Sequence, residues 1–284
     1  MGKRKKLKDL TIRDNFMFAA VMMQGNNSKD FLEMTLNIKI ARIEISYEKN
    51  IIYNPECKGV RFDVYCADEN NTRYDIEIQI VKKNLRKRSR YYHSQMDMEA
   101  LASGHDYEEL PNNYVIFICD FDPFGLKKYC YTFENCCLED YELKLEDGCT
   151  SIFLSTRGEN PEEIPKEMEL FLKFIREDSA TSNKYFEGNF TRQIQESMND
   201  VKKNRELENR RMTLEEYLED EKVLMGLEIR REDIIDILEE FGEIPKNLFD
   251  RIMLEDEMCI LKKMHKAAAK ADSLEQFEEL ISNL

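Results

Sequence analysis

Tryptophan is absent from the 284 residues, and the 6 prolines, 10 glycines and 3 histidines leave little room for whole classes of protein. So few glycines and prolines exclude collagen-like and low-complexity chains. No apolar run approaches the roughly 18 residues that a membrane-spanning helix needs. The first residues, MGKRKKLKDL, are basic but run into polar sequence, so they lack the apolar stretch of a secretory signal. The expectation is a cytoplasmic protein. Its 8 cysteines form no CxxC pair and no Cys/His zinc spacing, which reads as reduced, small apolar residues rather than a disulfide framework. What is present is 42% apolar residues, with 16 Phe and 13 Tyr, enough for a substantial core.

The net charge of -15 is divided unevenly. Residues 1–100 carry 19 Lys+Arg against 14 Asp+Glu, and the remainder carries 23 against 43. The basic excess peaks in KKNLRKRSR, residues 82–90, which holds six basic side chains and no acidic one. An anionic partner is therefore expected for the first part of the chain, and the acidic remainder is a poor nucleic-acid binder.

Helical spacing of apolar residues predicts helices over 9–24, with Asp9 or Thr11 as cap, and over 28–38. From Ile43 the period shortens towards two, and IEISYEKNIIY, RFDVYCA and TRYDIEIQIV read as strands. A helix from Leu85 to Gly104 follows, then a doubly buried strand over 114–121, strands at 129–135 and 150–155, and a helix over 165–177. Residues 181–212 are poor in apolar side chains and read as a polar helical linker. Thr213-Leu-Glu-Glu216 and Ser273-Leu-Glu-Gln276 are capping-box signatures, and 213–284 reads as an acidic helical module.

The chemistry-bearing stretch runs from Gly59 to Ile80. Alternation puts Tyr74, Ile76, Ile78 and Ile80 on one face of a strand and Asp75, Glu77 and Gln79 on the other. In the preceding strand Phe62, Val64 and Cys66 form the apolar face, so Asp63 and Tyr65 join the acids. Apolar residues must oppose apolar residues, which makes the index sum of each pair even and the connecting loop odd in length. A three-residue loop, Glu69-Asn70-Asn71, sets Asp63 opposite Glu77. Like charges so placed are destabilising by themselves. Two close carboxylates suit a hard divalent cation such as magnesium, with the Ile78 carbonyl as a further oxygen and Gln79 placed to hold water. The plainer alternative is a solvated polar face on a hairpin. Asp14, and less readily Glu33, are candidates for an additional carboxylate, although Asp14 is equally a helix-start residue. Lys82, Lys83, Arg86, Lys87, Arg88 and Arg90 are candidate phosphate contacts. The alternative for that run is a solvated helix start with Tyr91 and Tyr92 packed on the core, and His93 reads as a surface residue or one near substrate.

Asp63…Glu77-Ile-Gln79 on a hairpin, Asp14-Asn-Phe16 in the first helix, Arg88-Ser-Arg-Tyr91-Tyr92 in the later one, and Gly104, Tyr107, Leu110 and Ile116-Phe-Ile118 beyond it form an ordered set. Over about residues 9–180 this set resembles the PD-(D/E)XK nuclease superfamily, most of all the bacterial recombination-promoting nucleases, also termed PD-(D/E)XK family transposases. The resemblance implies an α/β fold: a restriction-endonuclease-like core with a central mixed sheet flanked by helices, here followed by the all-helical module. It also implies magnesium-dependent hydrolysis of DNA phosphodiesters, with manganese able to substitute, and Asp63, Glu77 and Gln79 as catalytic residues. Phe62 stands at the superfamily's name-giving Pro, and Gln79 at its usual Lys. Gln orients water but brings no positive charge to the developing phosphorane. A possible role of the C-terminal helices is regulation or self-association into a homo-oligomer. A second reading is a catalytically inactive nuclease-fold scaffold acting in protein-protein interaction.

Overall fold

The computed structural model describes residues 6–47, 50–51, 59–178 and 187–282. The chain divides into two compact units, residues 1–208 and 209–284. In the first, helices α1 (Asn15–Met22) and α2 (Asn27–Leu36) precede β1 (Ile43–Tyr47), β2 (Asn50–Ile51), β3 (Val60–Arg61), β4 (Val64–Asp68) and β5 (Arg73–Gln79). Then come α3 (Leu85–Ala100), β6 (Asn113–Cys119), β7 (Cys130–Phe133), β8 (Cys149–Ser155), α4 (Lys166–Glu177) and α5 (Asn189–Lys203). Six strands form one mixed sheet in the order β1-β4-β5-β6-β8-β7, while β2 and β3 pair separately. β5, β6 and β8 run parallel, and the other neighbours are antiparallel. This is the mixed sheet flanked by helices that the sequence led one to expect.

Alternation along the strands makes two cores. Even-numbered residues Val64, Ile76, Ile78, Ile116, Ile118, Ile152 and Leu154 pack with side chains of α1, α2, α4 and α5. Odd-numbered residues Tyr65, Val115, Phe117 and Phe153 pack with Leu85, Tyr92 and Met96 of α3. β6, in the middle of the parallel part, is buried on both faces, which is why its sequence is a continuous apolar run.

Some expected boundaries move. The first helix begins at Asn15 rather than Asp9, because residues 7–9 form a separate 3-10 turn. The strand expected at 61–67 is broken: β3 pairs with β2, β4 pairs with β1 and β5, and Phe62 and Asp63 lie between. The segment read as a polar linker differs most. Its described part includes α5, whose Phe190, Ile194, Met198 and Val201 are buried in the first core. The stripe is narrow, and the many polar residues on the other face hide it in a composition count.

In the second unit, α6 (Arg205–Glu239) carries the boundary between units, and α7 (Lys246–Met253), α8 (Met258–Ala268) and α9 (Leu274–Ile281) complete it. Ile234, Leu238, Leu248, Ile252, Leu261, Met264 and Phe277 form its core. The Ser273 hydroxyl caps α9 by accepting the Gln276 N–H, as the capping box predicts. The box at 213–216 does not start a helix: α6 runs through it, and its side chains lie outside the described residues. Among the described residues no helix is long and apolar enough to cross a membrane, and the seven described cysteines are free thiols.

Candidate active site

The β4–β5 hairpin has the register deduced from the apolar alternation, with Val64 paired to Ile76, Tyr65 to Asp75 and Cys66 to Tyr74. The Asp68 N–H reaches Thr72 O across the three-residue loop Glu69-Asn70-Asn71. Asn71, at φ 65°, supplies the left-handed residue that such a loop needs.

One residue beyond Val64 the ladder stops and side chains replace it. The Glu77 Oε1 accepts the Asp63 N–H at 3.0 Å, and the Asp63 Oδ2 accepts the Ile78 N–H at 3.3 Å. The break in the strand thus frees backbone donors that the two carboxylates take up. The N–H and C=O of a strand residue leave on the same edge, so the Ile78 carbonyl also faces the Asp63 side. Asn15, at the start of α1, donates its amide to both Asp63 oxygens at 3.2 Å. Its neighbour Asp14 accepts the Thr11 N–H and hydroxyl. Both residues border a cleft of about 780 Å³ together with Arg13, Gln79, Lys83, Arg88 and Asp178.

Arg88 departs from the expectation of an outward phosphate contact. Its guanidinium donates to Glu77 Oε2, to Gln79 Oε1 at 2.7 Å and to the Tyr92 hydroxyl, and it lies 4.8 Å from the Tyr92 ring centroid. The reason is the helical period: Leu85, Arg88, Tyr92 and Met96 share the face of α3 that packs on the sheet. Lys82, Lys83, Arg86, Lys87 and Arg90 are exposed. Tyr92 is buried as expected. His93 is buried too, bonded to Asn113 and Ser151, so it is not a surface residue. Glu33 accepts the Ile40 N–H and pairs with Lys39, away from these groups.

The acids are not a solvated face. Glu77 is 1% exposed and Asp75 0%, and neither Asp75 oxygen has a hydrogen-bond partner among the described residues. Burial is the main force raising all three carboxyls. Glu77, further opposed by the Asp63 charge and only partly relieved by Arg88, is pushed up to about 8. Asp63, relieved by the Asn15 and Ile78 donors, rises to about 6. Asp75 goes well above the carboxylate range, with the Glu77 and Asp63 charges adding to its burial. Carboxyls perturbed in this way are more frequent at functional sites than elsewhere.

Among the described residues no group of three or more His, Cys, Asp or Glu side chains is placed to hold a metal ion. The donor set here is smaller and all oxygen: two carboxylates, the Gln79 amide oxygen and the Ile78 edge. Oxygen donors are the type that hard divalent cations take. The cation the structure places among these groups is the Arg88 guanidinium, on Glu77 and Gln79.

A family model of PD-(D/E)XK nuclease family transposases matches residues 14–227. The chain belongs to this family. The match takes in the carboxylates, α3 and also α5, consistent with α5 being part of the sheet-bearing unit. Neither the curated proteins nor the solved structures contain a match to the chain.

Residues that the sequence reading missed are Asn15 as the Asp63 partner, Asp75 as a buried acid, and Arg13. Arg13 reaches from before α1 to Asp120, at the end of β6, which also holds Arg157 and Thr156. Only tertiary neighbours disclose these. Position 15 next to the resembling Asp14 was the one available hint.

Proposed function

We propose that the protein is a metal-dependent DNA endonuclease in which Asp63 and Glu77 hold a divalent cation, magnesium or manganese. The observation that carries this reading is the carboxylate pair with raised proton affinity, buried Glu77 accepting the Asp63 N–H and half-buried Asp63 accepting the Ile78 N–H, at the break between β3 and β4. Such a pair is costly in an empty fold, and a cation of the right size removes the cost. When bound, that cation supplies an activated water and stabilises charge on the phosphate.

The chain's own residues do the rest. Asn15 holds both Asp63 oxygens, so the orientation of that carboxylate does not depend on the metal. Gln79 orients water by hydrogen bonds. It brings no charge, and Arg88, bonded to its Oε1, stands where a positive charge is needed. Arg88 therefore supplies from α3 the stabilisation that a lysine at position 79 supplies elsewhere in the superfamily. Lys82, Lys83 and Lys87, exposed at the start of α3, neutralise substrate phosphates. The C-terminal unit, acidic and without a DNA-reading motif, acts in regulation or self-association.

The experiment is cleavage of supercoiled plasmid by purified protein with magnesium or manganese, against EDTA. Nicking that depends on the cation and is lost in Asp63→Ala supports the reading. Absence of cleavage under all conditions favours the scaffold.

A further inference from the structure

A second cavity, of about 740 Å³, lies on the other flank of α3 from the carboxylates. Its walls come from α3, from β7 and β8, and from the segments beside them. Arg86, Arg90 and Asp97 lie about 160–200° around the helix from Arg88, so α3 turns one side to each site. In the sheet, Glu77 is in register with Phe117, and Phe117 with Phe153 of the cavity wall. The two sites are thus level along the strands and two strand spacings apart, about 10 Å.

Three features describe the occupant. One wall is aromatic: Phe133, 45% exposed, has its ring centroid 4.8 Å from that of Phe124 and 5.7 Å from that of Phe153, and Arg86 lies 5.0 Å over the Phe124 ring. The cavity is also polarised lengthwise. Arg86 and Arg90 are at the start of α3, whereas Asp97, beside Asp147, is seven or more residues further on, about 10 Å away along the helix. Between them the floor is uncharged and fixed. Asn113 donates its amide to Asp97 at 2.6 Å, which turns its oxygen to His93 Nδ1. His93 Nε2 then accepts from Ser151 at 2.8 Å, and burial disfavours the charged form of the ring. A simple phosphate is repelled by the acidic end, and an apolar ligand leaves both charged ends unused.

From this arrangement we infer that the cavity takes one nucleotide: phosphate on Arg86 and Arg90, base stacked on Phe133, and amino groups of the base edge donated to the carboxylates at the far end. The volume suits a ligand of that size, and flat aromatic rings with arginines are how single nucleotides are commonly held. The source favoured by the layout is the strand being cut. Lys83 borders the first cleft and Arg86 the second, so a backbone crossing the exposed start of α3 passes from one to the other. This inference rests on the nuclease reading for its source of nucleotide, but not for the pocket itself.

The test measures binding of the full-length protein in EDTA to fluorescent single-stranded oligonucleotides. Each carries one abasic site, stepped along the strand, and mononucleotides are titrated in parallel. The expected result is a loss of about ten- to a hundredfold in affinity when the abasic site falls at one position. That loss should vanish in Phe133→Ala, whose unsubstituted-strand affinity is already lowered, and persist in Phe133→Tyr. Circular dichroism checks that each variant folds. If Phe133→Ala and Arg90→Ala bind the abasic series and the mononucleotides as the parent does, the inference is overturned. Mononucleotide binding that needs Phe133, with no effect of abasic position, supports the pocket and assigns it to free nucleotides. The same result in a protein that cuts no DNA sinks the nuclease reading while leaving the pocket in place.

Discussion

On one face of β5, Tyr74, Ile76 and Ile78 pack into a core closed by α1, α2, α4 and α5; on the other, which faces α3, Asp75 and Glu77 are no less buried. The apolar face gains stability from area removed from water, about 25 cal/mol per Å². The acidic face gives stability away, because carboxyls with few partners are taken out of solvent. A fold keeps such a face only where apolar packing elsewhere offsets it. The strand lies inside the sheet and, on the proposed function, carries its chemistry, so substitutions on its two faces should have opposite signatures.

The largest difference is expected from Glu77→Ala and Asp63→Ala. Each should lower metal-dependent cleavage about a thousandfold or more while the protein still unfolds cooperatively. Plasmid nicking and calorimetry read the two effects, and wild-type nicking by either variant removes these residues from the site. On the apolar side, Ile116→Ala should cost about 2–5 kcal/mol in urea unfolding. Its per-molecule cleavage rate at low temperature should change little.

Arg88 belongs to neither category, since it is held by acids yet belongs to an apolar helix face. Arg88→Ala is expected to lower kcat about a hundredfold with a smaller change in KM, and Arg88→Lys to recover part of the loss. Unchanged kcat in the Ala variant would return Arg88 to a structural role.

Asp75 sharpens the contrast further, because both its oxygens are without hydrogen-bond partners among the described residues. Asp75→Val should stabilise the metal-free protein by about 1–3 kcal/mol, read as a higher urea midpoint. A pH series tests the same point. Asp63 and Glu77 have folded-state values raised to about 6 and about 8, so the folded state binds more protons than the unfolded one between the ordinary carboxylate range and those values. Stability of the metal-free protein should therefore be fully held below about pH 4 as far as these groups are concerned, and fall as pH rises through 6 and 8. Magnesium should restore more of it at pH 8 than at pH 5. A flat melting temperature across that range with EDTA contradicts the burial of these acids.

The smallest effect concerns α3. Neutralising Lys82, Lys83 and Lys87 should flatten the log–log salt dependence of duplex binding by about 0.9 per lost contact, with no change in unfolding. The same changes at Lys202, Lys203 and Arg210 serve as the control and should leave the slope as it was.

Alternation over residues 60–80 and the parity of the hairpin loop gave the Val64–Ile76 register from sequence, because a one-residue slip would expose a whole apolar face. The continuous run in β6 and the Ser273 cap were equally local signals. Such features depend on neighbours two to four residues away, and a sequence displays those directly. The run at 82–90 shows the limit. Its charges were legible, but not that Arg88 turns inward while Arg86 and Arg90 turn to the opposite flank, since this depends on which side of α3 meets the sheet.

The sequence by itself therefore determined the sheet, its two chemically distinct faces and the proximity of Asp63 to Glu77, all consequences of period and register. Tertiary structure alone decided that the acidic face is buried, that Asn15 and Arg88 converge on it from helices 48 and 11 residues away from their partners, and that α5 completes the core. The physical reason is that burial and ion pairing are set by what packs from outside the strand, and those distances are fixed only once the helices have docked.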